Sequence, residues 1–156
     1  MHPPCAPRSS LNQSPEALAK DFSVYEIKHL IHRLSAGFPS PAADYVEEGL
    51  DLNTYLIHNK PATFMFTVQG QSMIGASIDD GDKVIVNRAL EARHNDIVVA
   101  VVQGEYTIKR FYKSQGCIEL RPENPDYSAI TFTEDSELQI WGVVVGVVRR
   151  YSNKGF

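Results

Sequence analysis

From Ala62 onward the chain is a succession of short apolar runs broken by Gly, Pro and Asp. Phe64, Phe66 and Val68 alternate with Met65, Thr67 and Gln69, the period of two that marks a half-buried strand. Lys83–Asn87, residues 96–102, residues 105–112, Cys117–Arg121, residues 129–133 and Leu138–Val148 supply further strand-like runs at close spacing. Residues 96–102 are apolar on both faces and should lie centrally. Gln103-Gly104 turns that run into the next as a hairpin. So many short strands predict a mainly β fold, compact and strongly bent. Leu138–Val148 is so apolar that it is either central or an edge covered by a partner.

The chain before Ala62 reads differently. Residues 1–14, with Pro3, Pro4, Pro7 and three serines, read as a disordered tail. Residues 15–34 read as a helix, with Ser14 as N-cap, Pro15 as the first helical residue and Leu18, Phe22, Leu30, Ile31 and Leu34 near helical spacing. Phe22-Ser23-Val24-Tyr25 within it would also suit a short strand. The segment is too short for a helix-turn-helix domain. In Ser35-Ala36-Gly37-Phe38-Pro39-Ser40-Pro41 the prolines disfavour helix, leaving an extended stretch with small residues at its centre. Such a stretch serves as a linker or as a protease substrate. Asp51 caps a short helix to residue 58, with Leu52, Tyr55 and Leu56 on one face. The expected organisation is an N-terminal arm (1–36), a linker with a short helix (37–61), a β-rich domain (62–150) and a tail (151–156).

With 156 residues, 43% hydrophobic and 22% charged, the chain suits one globular domain with an arm. A formal charge of −4 argues against a protein built to grip nucleic acid through phosphates, so no direct specific DNA binding is predicted. The two cysteines, Cys5 and Cys117, suit a reducing cytoplasm. No membrane-spanning run, signal peptide, metal-ligand cluster or phosphate loop is visible, and no cofactor or metal is expected.

Ser72, between Gly70 and a Gly/Asp-rich turn, is a candidate nucleophile that needs a base. His94 and Asp96 stand two residues apart in a turn, His29 and His32 belong to the helical reading and His2 to the tail. No spacing among them secures a triad. Lysine can serve instead if burial lowers its pKa from about 10.4. Lys109 has Tyr106, Ile108, Phe111 and Tyr112 around it, whereas Lys83 follows a turn and should be exposed. Strand alternation lets Arg110 face water while Lys109 faces in.

Gly70-Gln71-Ser72-Met73, Ile78, Asp80-Gly81-Asp82, Asp96-Ile97-Val98 and Tyr106-Thr107-Ile108-Lys109-Arg110, in that order, resemble the peptidase domain of the LexA/UmuD self-cleaving serine-lysine peptidases. Ala36-Gly37 matches the family's self-cleavage bond, and residues 37–47 are close to the start of processed UmuD-type chains. The resemblance covers residues 36–149. It implies a LexA/signal-peptidase-like β-domain with a flexible arm. Ser72 is implied as nucleophile, Lys109 as general base, and Gln71, Ser72 and Met73 as the oxyanion region. The short arm resembles the UmuD type more than the repressors, although its Pro/Ser-rich front is not part of the match. That resemblance implies an SOS mutagenesis protein, cytoplasmic and bacterial, that cleaves itself under stimulation by RecA filaments on single-stranded DNA. The processed homodimer would join a UmuC-type Y-family polymerase for translesion synthesis, with the apolar C-terminal strand as its dimer surface. The alternatives are a non-enzymatic polymerase-binding adaptor and a LexA-like regulator lacking a DNA-binding domain. A type I signal peptidase shares the serine-lysine logic but needs a membrane segment.

Overall fold

The turn residues decide where each strand of this chain stops and how it pairs. The computed structural model describes residues 16–17, 26–30, 36–37, 46–132 and 138–151. Its strands are β1 (Glu16–Ala17), β2 (Glu26–Leu30), β3 (Val46–Asp51), β4 (Thr63–Thr67), β5 (Lys83–Asn87), β6 (Ile97–Val102), β7 (Glu105–Ser114), β8 (Cys117–Arg121), β9 (Ile130–Phe132) and β10 (Leu138–Val148). Eight form one sheet in the order β1-β4-β5-β10-β6-β7-β8-β9, and β2 and β3 form a separate ribbon. Every pairing is antiparallel. Gln103-Gly104 and Gln115-Gly116 adopt positive φ at both positions, which lets two-residue turns join β6 to β7 and β7 to β8.

The sheet is bent by β10. Its register slips between Ile140 and Gly142 against β6, and between Val144 and Gly146 against β5. Each slip is a bulge of the kind that increases twist. The glycines beside them permit close approach: a Cβ on Gly142 would lie 2.8 Å from Val86 Cγ1. Side chains then pack on both faces. Val68, Met73, Ile78, Val84, Val86, Val99 and Trp141 form one cluster, and Val98, Ala100, Phe111, Leu120 and Val143 the other. Val98 and Ala100 belong to one and Val99 to the other, as the doubly apolar run 96–102 predicts.

Several expectations need correction. Residues 16–17 and 26–30 are strands, not parts of a helix over 15–34. Pairing with Phe64 and Met65 in β4, and with Val46–Asp51 in β3, overrides their helical spacing. The rest of that helix and the tail over 1–14 lie outside the described residues. β10, by contrast, takes the central one of the two placements its apolarity allows, bonded on both sides to β5 and β6. The short helix α1 (Leu52–Leu56) forms, with the Asp51 carboxylate accepting from the Asn53 and Thr54 amides. Its predicted apolar face is not buried as a unit, for Leu52 and Tyr55 remain exposed. No helix among the described residues is long and apolar enough to cross a membrane.

Candidate active site

β4 runs directly into the turn that carries Ser72. Val68 N–H donates to Asp82 O (2.8 Å) and Gly81 N–H to Val68 O (2.9 Å), closing the loop at its base. Gly70 takes φ +90°, and its amide donates to Asp80 Oδ1 at 2.7 Å. Asp82, 3% exposed, accepts from Arg149 Nε at 2.7 Å, and Arg149 Nη2 also reaches Ser77 O at 3.0 Å. Met73, 1% exposed, anchors the turn from inside, and its carbonyl accepts from Ala76 N–H (3.0 Å) and Ile78 N–H (3.3 Å). The residue after the serine therefore sits in the core while the serine itself lines a cavity of about 740 Å³.

A second turn, after β8, holds the first from the other side. Glu123 N–H donates to Ser72 O (2.8 Å), and Gly75 N–H donates to Glu123 O (2.7 Å). Asn124, 6% exposed, donates from Nδ2 to Gln71 O at 2.8 Å and accepts the Asp126 amide at 3.0 Å. The Glu123 carboxylate pairs with Arg110 Nε, while Arg110 Nη1 donates to Asn95 O at 2.7 Å. Arg110 is thus a half-buried ion-pair partner, which corrects the expectation that it simply faces water.

Lys109 lies across from Val98 in the β6–β7 ladder and is 8% exposed. Its Nζ is 3.1 Å from Ser72 Oγ, 3.0 Å from Thr107 Oγ1 and 2.9 Å from Ile108 O. None of these partners is a carboxylate. Burial holds the ammonium below its ordinary pKa, because nothing there compensates the lost hydration of the charge. A neutral amine fits the three partners: its two N–H groups can go to Thr107 Oγ1 and Ile108 O, leaving the lone pair for the Ser72 hydroxyl proton. Among the described residues, the Ser72 and Met73 amides have no acceptor, while the Ile74 and Gly75 amides are engaged. Free amides beside a nucleophile are the donors an oxyanion needs.

The structure thus brings Ser72 and Lys109 together. Ala36 and Gly37 form an exposed bend outside the cavity lining, and a Cβ on Gly37 would meet nothing within 4 Å. They lie in the connection between β2 and β3. Lys83 is exposed and donates to Thr67 Oγ1. His94 is elsewhere, accepting the Lys113 amide at Nδ1 (3.1 Å) and stacking edge-on with Tyr112, and Asp96 accepts the Arg93 amide at 2.8 Å. His29 lies in β2, a strand, whereas the sequence placed it in a helix. Sequence reasoning missed Thr107, Glu123 and Asn124. Strand alternation alone places Thr107 on the face of Lys109. Nothing local marks the other two.

The model of a family described as Peptidase S24-like matches residues 29–145. Protein MucA of Salmonella typhimurium is 41% identical over 123 residues, covering 78% of this chain and 83% of MucA. Protein SamA of Salmonella typhimurium is 43% identical over 118 residues, covering 76% of this chain and 81% of SamA. The LexA repressor of Bordetella petrii is 42% identical over 120 residues, covering 77% of this chain and 53% of that repressor.

Proposed function

The chain belongs to the S24-like peptidase family, and from that premise we propose that it is a UmuD-type SOS mutagenesis protein that cuts its own Ala36-Gly37 bond. The observation that carries this reading is the buried Lys109 amine 3.1 Å from Ser72 Oγ, with no acid among its partners. The UmuD-type reading is supported by the likeness to proteins MucA and SamA, matched over 83% and 81% of their own lengths.

In the proposed reaction Ser72 Oγ attacks the Ala36 carbonyl carbon as neutral Lys109 takes its proton. The amides of Ser72 and Met73 receive the developing oxyanion. The carbon–nitrogen bond breaks, Lys109 returns the proton to the Gly37 amine, and the ester on Ser72 is then hydrolysed by water. The scissile bend lies outside the cavity, so cutting requires another conformation of the β2–β3 connection. A RecA filament on single-stranded DNA would promote cutting by binding that conformation more tightly. The processed chain, starting at Gly37, would act as a homodimer with a UmuC-type Y-family polymerase in translesion synthesis. Val145, Val147 and Val148, which β10 leaves exposed, are the candidate dimer surface.

Incubation of the purified chain with RecA, single-stranded DNA and a nucleotide tests this reading. A product whose mass and N-terminus place the cut between Ala36 and Gly37 is expected. Stable full-length chain would favour the adaptor, and a different new N-terminus would refute the bond assignment.

A further inference from the structure

The turn after β8 holds two successive carbonyls of the serine turn. Asn124 Nδ2 donates to Gln71 O and Glu123 N–H donates to Ser72 O, each at 2.8 Å. A peptide unit is planar, and in the trans form its C=O and N–H point in opposite directions. No cis peptide occurs among the described residues. Gln71 O shares a plane with the Ser72 amide, and Ser72 O shares a plane with the Met73 amide. Each carbonyl drawn toward the turn therefore sends one of these amides the other way. Gln71 and Ser72 line the cavity, whereas Glu123 and Asn124 stand behind them, outside its lining.

The Asn124 side chain is suited to one orientation. It is buried, and both ends of its amide are engaged: Oδ1 accepts from the Asp126 N–H at 3.0 Å while Nδ2 holds Gln71 O. Turned over, it would set an NH2 group against an N–H and an oxygen against an oxygen, so its donor faces Gln71. The Ile74 amide also approaches Gln71 O, but at 3.5 Å, the outer limit of a hydrogen bond. Asn124 therefore supplies the shorter grip on that plane. Its bond also polarises the peptide unit, which strengthens the N–H at the opposite end as a donor.

From this geometry, and resting on the proposed reading of Ser72 as the nucleophile, we infer that Asn124 is a positioning residue for the reaction: through Gln71 O it aims the Ser72 amide at the oxygen of the scissile carbonyl as that oxygen gains charge. It acts through one peptide plane rather than on the reacting atoms. Its bond ends on a carbonyl and not on the lysine, so its loss lowers the rate without moving the pH at which Lys109 becomes neutral.

The test removes the donor and keeps the turn. Asn124→Asp retains an oxygen for the Asp126 amide but has no donor for Gln71 O. Asn124→Ser is neutral; its hydroxyl can still accept that amide, while its shorter side chain withdraws the donor from Gln71 O. Both are made in the full chain, and rates are corrected for the folded fraction by denaturant titration. Spontaneous self-cleavage is followed across alkaline pH. The plateau rate should fall about 10-fold to 100-fold in each variant, up to the loss seen when an oxyanion donor is removed outright. In Asn124→Ser the pH at which the rate levels off should match the wild type. A second readout separates the oxyanion from binding. The probe is a synthetic peptide of residues 30–36 ending in an aldehyde at Ala36, paired with the same peptide ending in the alcohol. Ser72 Oγ adds to the aldehyde carbon, its proton passes to Lys109, and the carbonyl π pair moves onto the oxygen that the Ser72 amide faces; the alcohol can only bind. The wild type should prefer the aldehyde, and each variant should lose about 10-fold of that preference while holding the alcohol as before. A turn that serves structure alone would weaken both peptides alike when it is damaged. Wild-type plateau rates in the folded variants, equal weakening of both peptides, or a shifted pH profile in Asn124→Ser without a lower plateau would each overturn the inference. A wild-type chain that does not cut itself would remove the peptidase reading and this inference together, whereas a cutting wild type with unaffected variants would remove the inference alone.

Discussion

Gly75→Ala tests whether the turn after β8 sets the position of Ser72. Gly75 needs no unusual φ, so alanine meets no backbone penalty there; the obstacle is contact. A Cβ would stand 2.5 Å from Glu123 O and 3.3 Å from the carbonyl carbon behind it. The two turns must separate by about 0.9 Å to reach the 3.4 Å at which ordinary contact begins. That movement stretches the 2.7 Å bond from Gly75 N–H to Glu123 O beyond hydrogen-bonding length and loads the 2.8 Å bond from Glu123 N–H to Ser72 O. Overpacking of this kind costs about 1–3 kcal/mol. Against a total stability of roughly 5–15 kcal/mol, no more than a few per cent of the chain unfolds. A displacement near 1 Å at a nucleophile, by contrast, lowers rates about 100-fold. The assay is spontaneous cleavage at alkaline pH, corrected for the folded fraction by denaturant titration. Gly142→Ala is the control, for its Cβ would lie 2.8 Å from Val86 Cγ1 and 3.1 Å from Asn87 O, within the sheet and away from the serine turn. Both variants should lose stability, and only Gly75→Ala should lose activity per folded molecule. Wild-type cleavage by a folded Gly75→Ala chain would refute the coupling of the two turns.

Ser72→Ala and Lys109→Ala should each abolish RecA-stimulated cutting while circular dichroism shows the fold kept; residual scission at Ala36-Gly37 by either would remove that residue from the chemistry. Cleavage by the wild-type chain should rise about tenfold per pH unit until Lys109 is neutral and then level off, at a pH below the roughly 10.4 of a free lysine; a flat profile would mean that no lysine titrates. The same depressed pKa makes the folded chain bind this proton less tightly than the unfolded one, so stability should rise with pH from the folded Lys109 value to about 10.4. In Lys109→Met that rise should vanish in thermal melts. Asp82 is held below the ordinary carboxylate range, first by its hydrogen bond from Arg149. Its contribution to stability is fully present above about pH 3.9 and is lost as pH falls through the folded value. Arg149→Ala should therefore lower the melting temperature at pH 7 and match the wild type in strong acid; an equal deficit at both pH values would point to lost packing instead.

What could be read from the residues divides along local and non-local physics. The limits of β5, β8 and β10 follow from alternation and from the turn residues beside them, both encoded within a few positions. Whether β10 was an edge or an interior strand depended on β5 and β6 closing on both its sides, which no window of sequence contains. The arm misled for the same reason. Glu16–Ala17 and Glu26–Leu30 are strands only because β4 and β3 offer them open edges, and their own spacing reads as helix.

The site shows the division more sharply. Lys109 was legible because its apolar neighbours announce burial, and Thr107 was reachable by counting two residues back. Glu123 and Asn124 act at Ser72 only through topology. β8 pairs with β7 so that Arg121 lies across from Arg110, the residue after Lys109. The chain leaving β8 at Pro122 therefore emerges beside the lysine and closes on the carbonyls of Gln71 and Ser72. One ladder positions Lys109, the proposed base, and the turn that clamps Ser72, the proposed nucleophile, and Arg110, paired with Glu123, ties that turn back to the strand carrying Lys109. A slip of β8 against β7 would thus leave each residue in its own turn or strand and still separate Ser72 from Lys109.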